Sequence, residues 1–421
     1  MYLKGEFIDF PETVGAKKGV VPATTPAYLA LLSFPAGLAK KIAPSFEEIK
    51  VSRDLEPEEA VWEKNFINYF TRYKWTVFFF QTPFLILLLL YFYHAATKFI
   101  PETNTRFWLT LGLCFGTLVW PFALALNPIF PAATLLFCGL HHLFIFSENG
   151  KAPEGIAAGL FIGSALIFHH LVYIPAVVLL IALALRLKEP EKLLSFIGGI
   201  LPGLLVFAIS HYAIFGDPLP AIYHRGGGER SMLLIWKYIA WSLFGLNGAI
   251  WMAPVAMLSL LSLVVVRNSV QESDRSVKIG LAIAAGLLFL VTSLEAVLTF
   301  SPLMDPDTGN LIKNAYDAAL VPSPVLQLNV AGFDMSIGFH TMLFGGESMA
   351  LIGPCLFLAA STLFISPNSW GVVGRILLRI GVLLGILAAY NPLGSRIFPI
   401  AESIHLIGYD LALKFPREAI F

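Results

Sequence analysis

Apolar runs of helix-spanning length alternate with short polar breaks from residue 75 onward. A helix that crosses the hydrocarbon layer of a bilayer needs about 20 predominantly apolar residues. Runs near that length predict spans at Trp75–His94, Trp108–Leu126, Pro128–Phe146, Leu193–Tyr212, Ala249–Val266, Val277–Thr299, Ser348–Ile365 and Val372–Tyr390. Two shorter runs, Gly155–Phe168 and Tyr173–Arg186, predict helices that are tilted or partly enclosed by protein. The pattern therefore predicts an all-α polytopic membrane protein with about ten transmembrane helices. Asn127–Pro128 marks a tight turn, and Lys237–Gly248 an interfacial helix.

The chain ahead of the first span has a different pattern. Ala27–Leu38 is apolar but too short to cross, and it holds Pro35, which predicts a re-entrant or interfacial piece broken at that proline. In Pro57–Tyr73, residues Val61, Trp62, Phe66, Tyr69, Phe70 and Tyr73 recur at spacings of three and four. Acids occupy its first turn, so it reads as an amphipathic helix lying on the outer bilayer surface. Three regions follow: an outer-face loop with these two helices at 1–74, a transmembrane domain at 75–390, and an outer-face tail at 391–421.

Basic residues orient the spans. Lys98, Arg106, Lys151, Arg186, Lys188, Lys192, Arg267, Arg275 and Lys278 fall at one set of short loops, whereas the longest loop of the other set, Ser301–Glu347, holds one Lys and no Arg. The first set is expected in the cytoplasm, which leaves both termini outside. An outer N-terminus with a long polar head predicts a further membrane helix ahead of Met1.

Composition agrees with a membrane body: 57% of residues are hydrophobic and 13% charged, where soluble domains carry about 25% charged residues. The 28 basic and 28 acidic residues balance, which argues against nucleic acid as a partner. Cys114, Cys138 and Cys355 lie in apolar runs with no disulfide or metal spacing. No cofactor motif is present, and nothing in the pattern indicates a divalent cation.

Several segments resemble a known family. Tyr2–Pro35 (YLKGEFIDFPETVGAKKGVVPATTPAYLALLSFP) is similar to the first outer loop of bacterial integral-membrane glycosyltransferases of the GT-C fold, the protein mannosyltransferase and aminoarabinose transferase groups. Ala132–Arg186 resembles their block of a span, a short loop and a Gly-bearing helix pair. Tyr212–Tyr223 (YAIFGDPLPAIY) and Phe244–Pro254 (FGLNGAIWMAP) resemble two further blocks in the same order. The likeness covers most of Tyr2–Pro254 and fades beyond it. It implies a GT-C-like enzyme of a bacterial inner membrane that moves a sugar from a polyprenyl-phosphate carrier to an acceptor at the outer face, by a single displacement with inversion. It also implies a first membrane helix and a catalytic acid ahead of Tyr2.

Each candidate residue has a sharper and a plainer reading. Glu6 and Asp9 are the acids nearest the family's general base, or solvated loop acids. Lys17 and Lys18, and His224, Arg225 and Arg230 in HRGGGER, suit a carrier phosphate or simply meet lipid headgroups. Glu295 lies near the outer end of its span, as a substrate contact or a group reaching water. His169, at an outer turn with His170, suits substrate contact or an ordinary hydrogen bond. His141–His142 suits a hydrogen-bonded helix pair better than a metal site, because adjacent residues face apart. Asp305, Asp307 and Asn310 read as a turn. Two non-enzymatic functions remain open: a transporter or flippase of lipid-linked sugars, and a catalytically silent protein that binds the lipid carrier.

Overall fold

The structure, a computed structural model, describes residues 26–43, 57–97, 100, 102–117, 119–124, 128–187, 190–218, 326–330, 333–337 and 351–358, with single helical positions at 283, 287, 291, 361, 372, 376 and 378–384. Among the described residues, eight α-helices can be given bounds, in order α1 (Pro26–Ile42), α2 (Pro57–Ala96), α3 (Thr103–Phe115), α4 (Val119–Ala123), α5 (Ile129–Asn149), α6 (Ala152–Phe168), α7 (Tyr173–Leu187) and α8 (Pro190–Phe215). A 3-10 turn, His170–Val172, joins α6 to α7.

Among the described residues, three helices are long and apolar enough to cross a membrane: Lys74–Ala96 of α2, Ile129–Asn149, and Lys192–Ala213 of α8. α5 is the centre of the bundle. Its apolar window is 83% buried, against 33% in α2 and 22% in α8. The outer helices keep apolar stripes on their free faces: Ile86 and Leu90 on α2, Leu194, Leu201, Leu205 and Ile209 on α8. Exposed apolar surface of that extent is what a lipid-facing helix presents.

α5 turns into α6 through Gly150, whose φ of 64° lies in the left-handed region and whose N–H donates to the Phe146 carbonyl at 2.8 Å. Gly is favoured at this position because it carries no Cβ penalty there. The Lys192 amine of α8 lies over this turn, and a Cβ added at Gly150 would sit 3.0 Å from its Nζ. α6 and α8 then pack backbone to backbone. A Cβ on Gly159 would lie 2.2 Å from the Phe196 oxygen, and one on Gly203 would lie 2.1 Å from Gly163. Small residues four apart let helices approach this closely in a membrane, where close contact replaces the hydrophobic effect as the source of association. The Gly-bearing helix after the first short loop is thus a packing face.

Four expectations are corrected. Pro35 does not break its segment: α1 runs through it, with Tyr28, Leu32, Pro35, Ala36 and Ala39 buried along one face. A helix interior proline removes one backbone hydrogen bond, and the packing of that face onto α2 outweighs the loss. The surface helix at Pro57–Tyr73 is not separate; it continues into the first span as the 40-residue α2. Charge changes at Lys74, but helical backbone propagates across it.

The span expected at Trp108–Leu126 is broken into α3 and α4. Gly116 ends α3, donating to the Gly112 carbonyl, and the Thr117 hydroxyl accepts from the Val119 N–H at 3.2 Å. Pro121, four residues after Thr117, has no N–H to continue the ladder. Finally, the long loop at 301–347 holds two strands, β1 (Leu326–Val330) and β2 (Phe333–Ile337), in an antiparallel hairpin with Leu326 opposite Ile337.

Residues 351–358 are helical and buried in the same core, with Phe357 against Phe92 of α2 at 5.6 Å between centroids. The expected spans at Ala249–Val266, Val277–Thr299 and Val372–Tyr390, the interfacial helix at Lys237–Gly248 and the tail at 391–421 lie outside the described residues, apart from the single positions above.

Candidate functional site

Polar side chains collect at the two ends of the bundle. At the end formed by the α5–α6 turn, three helices contribute one hydrogen-bonded chain. His142 of α5 makes a 2.7 Å contact through Nδ1 to Oε2 of Glu154 in α6, and a 3.2 Å contact through Nε2 to the hydroxyl of Tyr91 in α2. Packing sets this register: Gly139 faces Ile162 and Ala158, and Phe146 faces Gly155, which brings position 142 opposite 154.

The neutral imidazole that satisfies both contacts carries its proton on Nδ1. It donates to the carboxylate and accepts from the phenol. Glu154 sits in the first turn of α6, where the helix dipole favours a negative charge. The Phe161 ring stacks on His142 at 5.4 Å and 12°. His141 is buried beside this chain, edge-on to Tyr91 at 5.6 Å, to His142 at 5.7 Å and to His94 at 5.3 Å between centroids. The side chains of His142 and Glu154 are 20% and 29% exposed, so this end is reachable from outside the bundle.

At the opposite end, α1 closes over the bundle. Tyr28 of α1 meets Phe80 of α2 at 5.6 Å and Phe168 of α6 at 6.2 Å, both edge-on. His169 follows directly. It is buried, and its Nδ1 accepts from the Leu171 N–H at 3.3 Å, an i to i+2 contact that caps the 3-10 turn. With Nδ1 accepting, the neutral ring carries its proton on Nε2. Burial pushes this imidazole well below the usual histidine range, and His170, stacked on it at 5.1 Å, pushes the same way. On α8, His211 is also buried, with Nδ1 donating to the Phe207 carbonyl at 3.0 Å. Asn68, Thr76, Gln81, His169 and His211 make this the end richer in buried polar side chains.

Of the expected site residues, His169 is described, at the turn after α6. Glu6, Asp9, Lys17, Lys18, His224, Arg225, Arg230 and Glu295 lie outside the described residues, as do Asp305, Asp307 and Asn310. No group of three His, Cys, Asp or Glu suited to a metal ion occurs among the described residues. The rings of His141 and His142 are not held apart as expected: they lie 5.7 Å from each other, edge-on, and both meet the Tyr91 ring. Tyr91 and Glu154 carry no motif, and only the antiparallel register of α5 and α6 brings Glu154 to His142. No protein-family model, curated protein or solved structure matches this chain, so its own residues carry the functional reading.

Proposed function

We propose that this chain is a GT-C-like membrane glycosyltransferase that moves a sugar from a polyprenyl-phosphate carrier to an acceptor at the outer face of a bacterial inner membrane. The observation that carries the reading is the contact of Tyr28 with Phe168, 6.2 Å between ring centroids. Tyr28 belongs to the segment that resembles the family's first outer loop. Phe168 precedes His169 at a turn expected on the outer side from the basic residues. Two separate sequence patterns thus assign these residues to one side, and the two rings touch.

In this reading the acceptor oxygen attacks the anomeric carbon while the carrier phosphate leaves from the opposite face. Neutral His169 donates from Nε2 to a phosphate or sugar oxygen. Lys17, Lys18, His224, Arg225 and Arg230 neutralise the leaving phosphate. Glu6 or Asp9 takes the acceptor's proton, and Glu295 contacts substrate near its helix end.

Native membrane vesicles containing the full chain, and with it the membrane's own acceptors, together with a radiolabelled polyprenyl-phosphate hexose test this. The chain should separate label from carrier, and the double variant Glu6→Ala/Asp9→Ala should slow that about 100-fold or more, as loss of a general base does. No carrier cleavage by the unaltered chain refutes the enzyme. A flippase is the second reading, favoured by the Tyr91–His142–Glu154 chain, because ionisable groups among membrane helices mark ion and substrate paths. A flippase would move label across the bilayer still attached to its carrier.

A further inference from the structure

One face of α1 is packed onto the bundle and the other is open, and the open face is not polar along most of its length. Phe34 is 74% exposed and Leu31 48% exposed. Gly37 opens onto free space, since a Cβ there would meet nothing within 4 Å. Only the last turn is charged, with Lys40 and Lys41 both exposed. We propose that this face of α1 docks onto anionic phospholipid, with Leu31 and Phe34 among the acyl chains and Lys40 and Lys41 on lipid phosphates. It stands whether or not the chain transfers sugar.

The aromatic side chains of α2 set the level of the bilayer. Trp75 is partly exposed, stacked on Phe79 at 5.7 Å and edge-on to Phe78 at 5.8 Å, directly after the exposed Lys74. Tyr93, near the other end of the same apolar stretch, lies under the Arg106 guanidinium at 5.2 Å. Aromatic and basic side chains gather in this way at the two membrane–water boundaries. The rise from Trp75 to Tyr93 is about 27 Å, close to the roughly 30 Å hydrocarbon thickness. Tyr28 of α1 meets Phe80, which lies about 7 Å inside the Trp75 level. The first turns of α1 are therefore in the hydrocarbon, where exposed Leu31 and Phe34 belong.

The Lys pair fits the same placement. Lys41 follows Phe34 by two helical turns on one line of the helix, about 10 Å farther along, which matches the 5–10 Å depth to which interfacial helices bury their apolar side chains. An exposed ammonium group is costly in hydrocarbon, so a lysine so placed extends its apolar stem until the charge reaches the headgroups. α1 holds no Asp or Glu to neutralise the pair, and among the described residues neither lysine forms an ion pair. Two cations beside an apolar face complement a phosphate joined to acyl chains. A helix C-terminus also favours cations without any ligand, so the test must separate the two roles.

The test uses the full chain in neutral-detergent micelles, with an environment-sensitive fluorophore on Ile42→Cys, a half-exposed position next to Lys41. Cys114, Cys138 and Cys355 are buried, which directs labelling to the introduced thiol. Dioleoyl phosphatidylglycerol and dioleoyl phosphatidylcholine are titrated separately into the micelles. The anionic lipid should half-saturate the signal at the lower content. Lys40→Gln/Lys41→Gln should raise its half-saturation about 25-fold, at about fivefold for each basic residue near an anionic surface, and leave the neutral lipid unchanged. Phe34→Ser should weaken both lipids alike, and Lys151→Gln, at the α5–α6 turn, should alter neither. Equal half-saturation by the two lipids, or no effect of Phe34→Ser, overturns the proposal. A double lysine variant that leaves the anionic lipid unchanged, or shifts both lipids equally as a purely structural role at the helix end would, also overturns it. So does inorganic phosphate alone reproducing the signal, which would mark a free-anion site instead of a lipid surface.

Discussion

Replacing Gly203 by alanine puts one methyl group where two helix backbones touch. The new Cβ would lie 2.1 Å from the carbonyl carbon and oxygen of Gly163 and 2.7 Å from its Cα. Carbon atoms pack best at about 3.5–4.0 Å, so α6 and α8 must part by more than about 1 Å. A gap of about 0.5–1 Å already forfeits a quarter to a half of each contact's attraction. The seam also includes the Gly159–Gly199 approach, where a Cβ on Gly199 would meet the Gly159 Cα at 2.9 Å, so the loss is shared along the pair.

Overpacking of this kind costs about 1–3 kcal/mol. The better helix propensity of alanine returns at most about 1 kcal/mol. Gly198, on the same helix, supplies the control: a Cβ there meets nothing within 4 Å. Gly198→Ala should stabilise by about 0.5–1 kcal/mol, from reduced backbone entropy alone. The propensity gain is common to both, so the two variants should differ by the overpacking cost, about 1–3 kcal/mol, in a reversible SDS titration of helicity on the detergent-solubilised full chain. Equal stability of Gly203→Ala and Gly198→Ala would refute a close α6–α8 seam.

Three further outcomes are expected. His142→Leu removes both interhelical hydrogen bonds and leaves Glu154 and Tyr91 without that partner, which should cost about 1–3 kcal/mol in the same titration. His169 should confer a pH-dependent stability. Its folded imidazole is held below the unfolded value of 6.5, so the unfolded chain binds more protons below that value, and stability is full above it and falls as pH drops through it. His169→Asn retains a side-chain acceptor for the Leu171 N–H and should flatten that part of the thermal-stability profile measured from pH 8 to 5. Tyr28→Ala should cost about 3 kcal/mol by emptying the aromatic contact between α1, α2 and α6, whereas Phe34→Ala, at a side chain 74% exposed, should change stability by less than about 0.5 kcal/mol.

The apolar runs at α2, α5 and α8 were legible because their length alone implies a crossing helix. What surrounds each run was not legible. α5 and α8 are similarly apolar, yet α5 is enclosed by protein and α8 is mostly open, a difference set by neighbours rather than by its own residues. The break at Gly116–Thr117 was hidden for the same reason, since Leu113, Cys114, Phe115, Val119 and Phe122 keep the hydropathy high while the backbone bends. Pro35 misled in the opposite direction, as its local cost is overridden by burial of Tyr28, Leu32 and Ala36. His142 was visible as part of a histidine pair. Its partners were not, because Glu154 looks like an ordinary first-turn acid and Tyr91 like one aromatic among many; their meeting is a property of helix register.

The continuity of α2 gives the protein a lever. At 1.5 Å per residue, its 40 residues extend about 60 Å, twice the roughly 30 Å hydrocarbon thickness. Its apolar part, Lys74–Ala96, holds Tyr91 near one end, and Phe80, the seat of Tyr28, toward the other. The preceding polar turns project about 25 Å farther. A tilt of about 10° about the apolar part would swing their tip by about 4 Å. Pro83 lies inside the helix between Tyr91 and Phe80, and an interior proline is where a helix bends, so this is the point about which the two parts of α2 would tilt.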